Sequence, residues 1–141
     1  MIAALFKRKT KPAFVMDTGD EVVSCLGALA RERQLHAAQI TAIGAVRRAV
    51  LGYFDMQARQ YRRLEFDGQM EVLSLIADIA MEGDLPRLHA HAVLGCADAS
   101  TRGGHLLEAE VRPTLEVIIT ESPAYLVRRH DPQTGLALIR F

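Results

Sequence analysis

One helix-periodic stretch followed by strand-like runs, with no second helix among them, is the feature that most limits how this 141-residue chain can fold. Thr18-Gly19-Asp20-Glu21 matches a capping box, with Thr18 as N-cap and Glu21 three residues on. Val22, Val23, Leu26, Leu29 and Ala30 then recur at helical spacing, which predicts a helix from about residue 19 to residue 33. Arg31, Glu32 and Arg33 end it in solvent. Residues 14–16 form a short candidate strand before the helix. After it, residues 38–43, 46–55, 61–66, 70–79, 88–96, 114–121 and 136–141 each have strand length and β-branched or aromatic content. Gly44, Gly52, Asp67-Gly68, Pro113 and the run 131–135 punctuate them, and Asp67-Gly68 reads as a hairpin turn. Without βαβ alternation the pattern predicts an α+β fold, one main helix packed on a mostly antiparallel, roughly seven-stranded sheet.

The strands carry more apolar positions than one helix covers, so a spare apolar face is expected to be buried by self-association. The stretch Glu71 to Ile79 is the expected contact. Residues 1–12 read as a flexible basic arm, with Lys7, Arg8, Lys9 and Lys11, and residues 13–141 as a single domain. Half of the residues are hydrophobic, which excludes a disordered chain. Seventeen basic and seventeen acidic residues cancel, which is not the balance of a non-specific duplex binder. DNA affinity is expected to be weak and to reside in the arm. Cys25 and Cys96 read as buried free thiols, which suits a reducing cytoplasm. No apolar run reaches the roughly 18 residues that span a membrane, and the order of Met1–Phe6 before Lys7 is the reverse of a secretory signal. A cytoplasmic protein with no membrane partner is expected.

Chemistry concentrates in three of the five histidines, which fall in Leu88-His89-Ala90-His91 and Gly103-Gly104-His105-Leu106. On a strand His89 and His91 project from one face, roughly 7 Å apart. Residues 98–104 are rich in turn formers, and a turn at Gly103-Gly104 is expected to return His105 beside the pair. The glycines imply positive φ or a close approach to another backbone. Two readings stay open: hydrogen-bonded histidines at a sheet edge, or imidazole ligands for a divalent metal, zinc foremost. Glu71 and Asp78 are acidic residues in an apolar strand, with a supporting or ligand-binding role open to both; Glu116 reads as half of a structural ion pair. No phosphate loop, nucleophile elbow, CxxC pair or HExxH helix is present, so no catalytic residue is named.

The order Gly44-Ala45-Val46, Leu51-Gly52-Tyr53-Phe54-Asp55, Glu71-Val72-Leu73-Ser74-Leu75, Leu88-His89-Ala90-His91, Gly103-Gly104-His105-Leu106 and Thr114-Leu115-Glu116-Val117-Ile118 resembles the PPC ("plants and prokaryotes conserved") domain over about residues 14–141. The resemblance implies one helix against an antiparallel sheet and a homotrimer. In plants the domain follows an AT-hook and mediates assembly with itself and with other nuclear proteins; prokaryotic members stand alone. This chain lacks the Arg-Gly-Arg-Pro hook, and it has Ala77-Asp78 where members commonly have Gly-Asn. An aspartate keeps the oxygen acceptor and adds charge, which strengthens a cation site. The expectation is a trimeric binding or regulatory module with a histidine-lined metal site, its partners being itself and a small molecule or another protein. A metal-dependent hydrolase or lyase acting on a small molecule is the alternative, and DNA binding the third.

Overall fold

The computed structural model describes residues 3–5, 13–122 and 126–140, so Lys7, Arg8, Lys9 and Lys11 lie outside the described residues. In chain order the elements are β1 (Ala3–Leu5), β2 (Ala13–Asp17), α1 (Val22–Glu32), β3 (Ala37–Asp55), β4 (Gln60–Glu82), β5 (Leu85–Gly95), β6 (Thr101–Glu121), β7 (Val127–His130) and β8 (Ala137–Arg140). The expected class holds: one helix and a large, mostly antiparallel sheet, here of eight strands. Among the described residues its one parallel contact is the Met81–Val127 bridge between β4 and β7. Within the expected arm, Ala3–Leu5 pairs with β2 as an edge strand.

The helix starts three residues later than the capping box predicts, because Glu21 itself is the cap. Its Oε1 accepts from Val23 N at 3.2 Å and its Oε2 from Ser24 N at 2.7 Å. Oε1 also accepts from Ala109 N in β6 at 2.9 Å, which fastens the helix start to the sheet. A carboxylate there meets both the unpaired N–H groups and the positive end of the helix dipole. Thr18 lies outside the helix and donates to Pro113 O at 2.9 Å.

Two pairs of expected strands merge into single long ones. Residues 38–43 and 46–55 join through Gly44 as β3, and residues 61–66 and 70–79 join as β4. Asp67-Gly68 is therefore not a hairpin turn. Gly68 has φ +103° and lies where the register with β3 shifts between Val46 and Arg48, so the Asp-Gly pair bends a continuous ladder. The chain reverses instead at residues 56–59, where Asp55 Oδ1 accepts from Gln57 N and Ala58 N at 3.0 Å each.

Pairing closes on itself. β3 pairs with β4 and β6, β4 with β5, and β5 with the first residues of β6. One face of this circuit, carrying Ile40, Leu75, Ile79, Ala90, Leu94, Leu115 and Ile119, is buried in one core with Val22, Leu26 and Ala30 of α1. Each fully buried aliphatic side chain there contributes about 1.5–3 kcal/mol. The other face holds the spare apolar surface that the sequence predicts. Val15, Ile43, Leu73, Ile76 and Ile118 are exposed there, Ile76 by 58%, around a groove of about 690 Å³. Glu116 is exposed on the same groove, and among the described residues it forms no ion pair, contrary to the structural pairing expected for it. Among the described residues no helix is long and apolar enough to cross a membrane.

Circuit closure depends on Gly104: a Cβ there meets the Gly52 carbonyl oxygen at 2.9 Å. Gly104→Ala is expected to destabilise the fold by about 1–3 kcal/mol through forced separation of β6 from β3. Urea unfolding checks it: the midpoint falls while the slope is kept.

Candidate metal centre

The three histidines meet on the open face, and strand register is what brings them there. His89 lies opposite Asp78 of β4, and His91 opposite Ile76 of β4 on one side and His105 of β6 on the other. The turn that returns β6 is at residues 96–100, not at Gly103-Gly104. Cys96 N donates to Ser100 O at 2.8 Å, and Asp98 Oδ1 accepts from Ser100 N at 2.9 Å and from Ser100 Oγ at 2.6 Å. Those bonds hold the Asp98 carboxyl below the usual carboxylate range. Gly103 and Gly104 are strand residues opposite Val93 and Ala92, and Gly104 is glycine because another backbone passes so close.

One ligand atom from each of His89, His91 and His105 lies within 4.8 Å of the others. The Nε2 atoms of His89 and His91 are 3.0 Å apart. Tetrahedral nitrogens at about 2.0–2.1 Å from one zinc ion sit about 3.4 Å from each other, so small side-chain rotations complete the set. Asp78 stands behind His89, its Oδ2 3.9 Å from Nδ1, and is held from the far side by the Arg128 guanidinium. A carboxylate on the Nδ1 side favours the proton there and Nε2 as the atom that would donate to a metal, the usual arrangement for a ligating histidine. Tyr61 plays the corresponding part for His105. Its hydroxyl is 3.4 Å from Nδ1, and its ring stacks on the imidazole with centroids 4.6 Å apart.

Electrostatics favours neutral rings. Burial, with Arg128 and His91 adding to it against the opposing pull of Asp78, lowers the His89 pKa. Burial first, then the neighbouring His89 and His91, pushes His105 down to about 4. Burial raises the Tyr61 phenol, with Arg128 opposing. His89 and His105, both resistant to protonation and crowded against a third imidazole, suit a borderline divalent cation. The donor set fits zinc.

Glu71 does not join the cluster. It sits opposite Gly95 at the other end of the β4–β5 ladder, seven residues or roughly 20 Å from Asp78, beside Ile43, Leu73 and Glu116. Two residues that the sequence reading passed over do join it. Tyr61 reads in sequence only as a strand aromatic, yet Gly52 is its signal, since a Cβ at Gly52 meets Tyr61 Cδ1 at 2.8 Å. Arg128 stands on β7, a strand too short to show in the pattern, and is only 8% exposed.

The profile of the Plants and Prokaryotes Conserved (PCC) domain matches residues 6–123. No curated protein matches the chain. Among solved structures, the chain is similar to a metal-containing protein of Archaeoglobus fulgidus, with 36% identity, TM-score 0.85 and 100% of both chains covered. It is similar to a plant- and prokaryote-conserved protein of Pyrococcus horikoshii, with 26% identity, TM-score 0.87, and 100% of this chain and 95% of that one covered. It also resembles a Bacteroides thetaiotaomicron protein described as a candidate DNA-binding protein, with 27% identity, TM-score 0.94, and 100% and 98% coverage.

The lowered His105 pKa has a stability consequence. The unfolded chain takes up this proton near pH 6.5 and the folded chain only near 4. Stability of the metal-free protein is therefore full above about pH 6.5 and drains as pH falls toward about 4. Thermal melts across that window are expected to show the fall, and His105→Gln to flatten it.

Proposed function

The chain belongs to the Plants and Prokaryotes Conserved domain family, and from that premise we propose that it is a self-associating binding or regulatory module built round a zinc-type centre of His89, His91 and His105. The observation that carries the reading is the convergence of those imidazoles on the face left bare by α1. Asp78 and Tyr61 are the positioning residues, each facing Nδ1 of one histidine and so favouring Nε2 as the ligating atom. A metal there supplies an electrophilic position for an oxygen ligand. Gly104 keeps the strand that carries His105 close to its neighbours, with Gly103 beside it opposite Val93.

The assembly is a homotrimer in this reading, supported by the apolar groove between β2 and β4, which is large and bare for a lone protomer. Residues 13–141 act as one domain, and the cytoplasm is the compartment that two unpaired cysteines suit. A metal-dependent hydrolase or lyase is the second reading, favoured by the Tyr61 hydroxyl and the buried Arg128 beside the centre. DNA binding, the description carried by the Bacteroides relative, has less support here. Arg47, Arg48, Arg62 and Arg63 are each engaged by carboxylates, which lowers what that cluster of cations offers to phosphates.

Untagged protein loaded with zinc and dialysed is expected to retain about one ion per chain, and His91→Ala to lose most of it while its circular dichroism is unchanged. Light scattering on the same samples is expected to give three times the chain mass. Zinc retained equally by His91→Ala refutes the centre, and a monomer at micromolar concentration refutes the assembly.

A further inference from the structure

The centre opens on one side into a cleft of about 440 Å³, between the start of β5 and the β7–β8 hairpin. That volume lies within the range of small-molecule sites. Leu88, Leu136 and Leu138 make its apolar wall, and Tyr61, His89, His105 and Arg128 its polar end. Arg128 is the unusual member, a guanidinium 8% exposed. Nη1 donates to Ala137 O at 3.0 Å and Nη2 to Asp78, while buried Nε has no partner. Burying a guanidinium with a donor unused is costly, and a group kept in that condition points to a partner that arrives later.

We infer that this cleft binds a small carboxylate, one oxygen on the metal ion and the carboxylate facing Arg128 and the Tyr61 hydroxyl, with a short apolar body against the leucines. The inference rests on the metal-centre reading above and names the ligand class of the same site. Charge selects the anion. Arg128 is offset by Asp78 and Arg87 by Glu82, so the ion's two positive charges are the ones left to balance. Hydrogen-bond direction selects it too. When Nε2 of His105 ligates, Nδ1 bears the proton and donates to the Tyr61 oxygen, which leaves the phenolic proton free to point into the cleft. A neutral amide gains less from either group, since hydrogen bonds to a charged partner are about twice as strong.

The test uses the full chain loaded with cobalt(II), whose visible spectrum reports on its ligands, titrated with butanoate and, separately, with butanamide. Butanoate is expected to shift the spectrum saturably and butanamide to leave it unchanged. Tyr61→Phe is expected to keep the unliganded spectrum and weaken butanoate about tenfold, the scale of one hydrogen bond to a charged group. Arg128→Gln is expected to abolish the shift; Tyr61→Phe carries the test alone where loss of the Asp78 partner prevents folding. Cobalt uptake without a butanoate response, an equal response to the amide, or a Tyr61→Phe variant indistinguishable from the parent overturns the ligand inference and leaves the centre standing. Failure to take up cobalt overturns the centre, and this inference with it.

Discussion

Closure of the pairing circuit β3–β4–β5–β6 is the constraint on which the rest of this molecule depends. Within the circuit β6 serves two neighbours in succession: Thr101 to His105 pair with β5, and from His105 onward the strand pairs with β3, while β2 pairs with its Thr114–Ile118 stretch outside the circuit. A strand makes that transfer only by bending, and the register slips by one residue where it does, between the Val50–Glu108 and Leu51–Leu106 pairs. His105 is the residue at the transfer, flanked by His91 on one side and Gly52 on the other. The bend that closes the sheet therefore also aims the third imidazole. Gly104, with the Gly52 carbonyl where its side chain would be, is what lets the strands come close enough.

A closed circuit with one helix has two unequal faces. The face under α1 is a dry aliphatic core, from Met16 through Ile40 to Ile119. The other carries a continuous row across the strands, in which Ile118 neighbours Thr41, Thr41 neighbours Ile76, Ile76 neighbours His91 and His91 neighbours His105. Apolar patch and histidine cluster are thus one surface. In the proposed assembly a second copy covering the apolar end would lie next to the three histidines, so occupancy of the proposed centre and assembly are expected to be linked. The outer ion pairs of Arg47, Arg48, Arg62 and Arg63 are exposed and add little to stability.

Much of this was legible in the residues, and the misses share a cause. Helical spacing in Val22 to Ala30 and period-2 alternation in Leu88 to Leu94 are local signals, and both elements formed where those signals stand. His89 and His91 shared a face for the same reason. Turn chemistry misled where tertiary pairing overrode it. Asp67-Gly68 carries the composition of a hairpin but sits at a bulge in β4, and Gly103-Gly104 reads as a turn but lies in a strand, where Gly104 is needed for close passage. Thr18 matched a cap pattern that Glu21 fulfilled instead, because Glu21 also reaches the Ala109 N–H in a strand that sequence spacing does not bring near. Tyr61 and Arg128 escaped notice because each touches the centre across 44 and 50 residues of chain, from His105 and Asp78 respectively. Contacts of that separation leave no periodicity to read.

The central claim is that three imidazoles hold one ion. X-ray absorption at the zinc edge of the loaded protein tests it most directly. Three histidine nitrogens and one oxygen neighbour are expected at about 2.0–2.1 Å, with the outer-ring scattering of imidazole. A first shell of sulfur at about 2.3 Å, or of oxygens with fewer than two imidazoles, contradicts it.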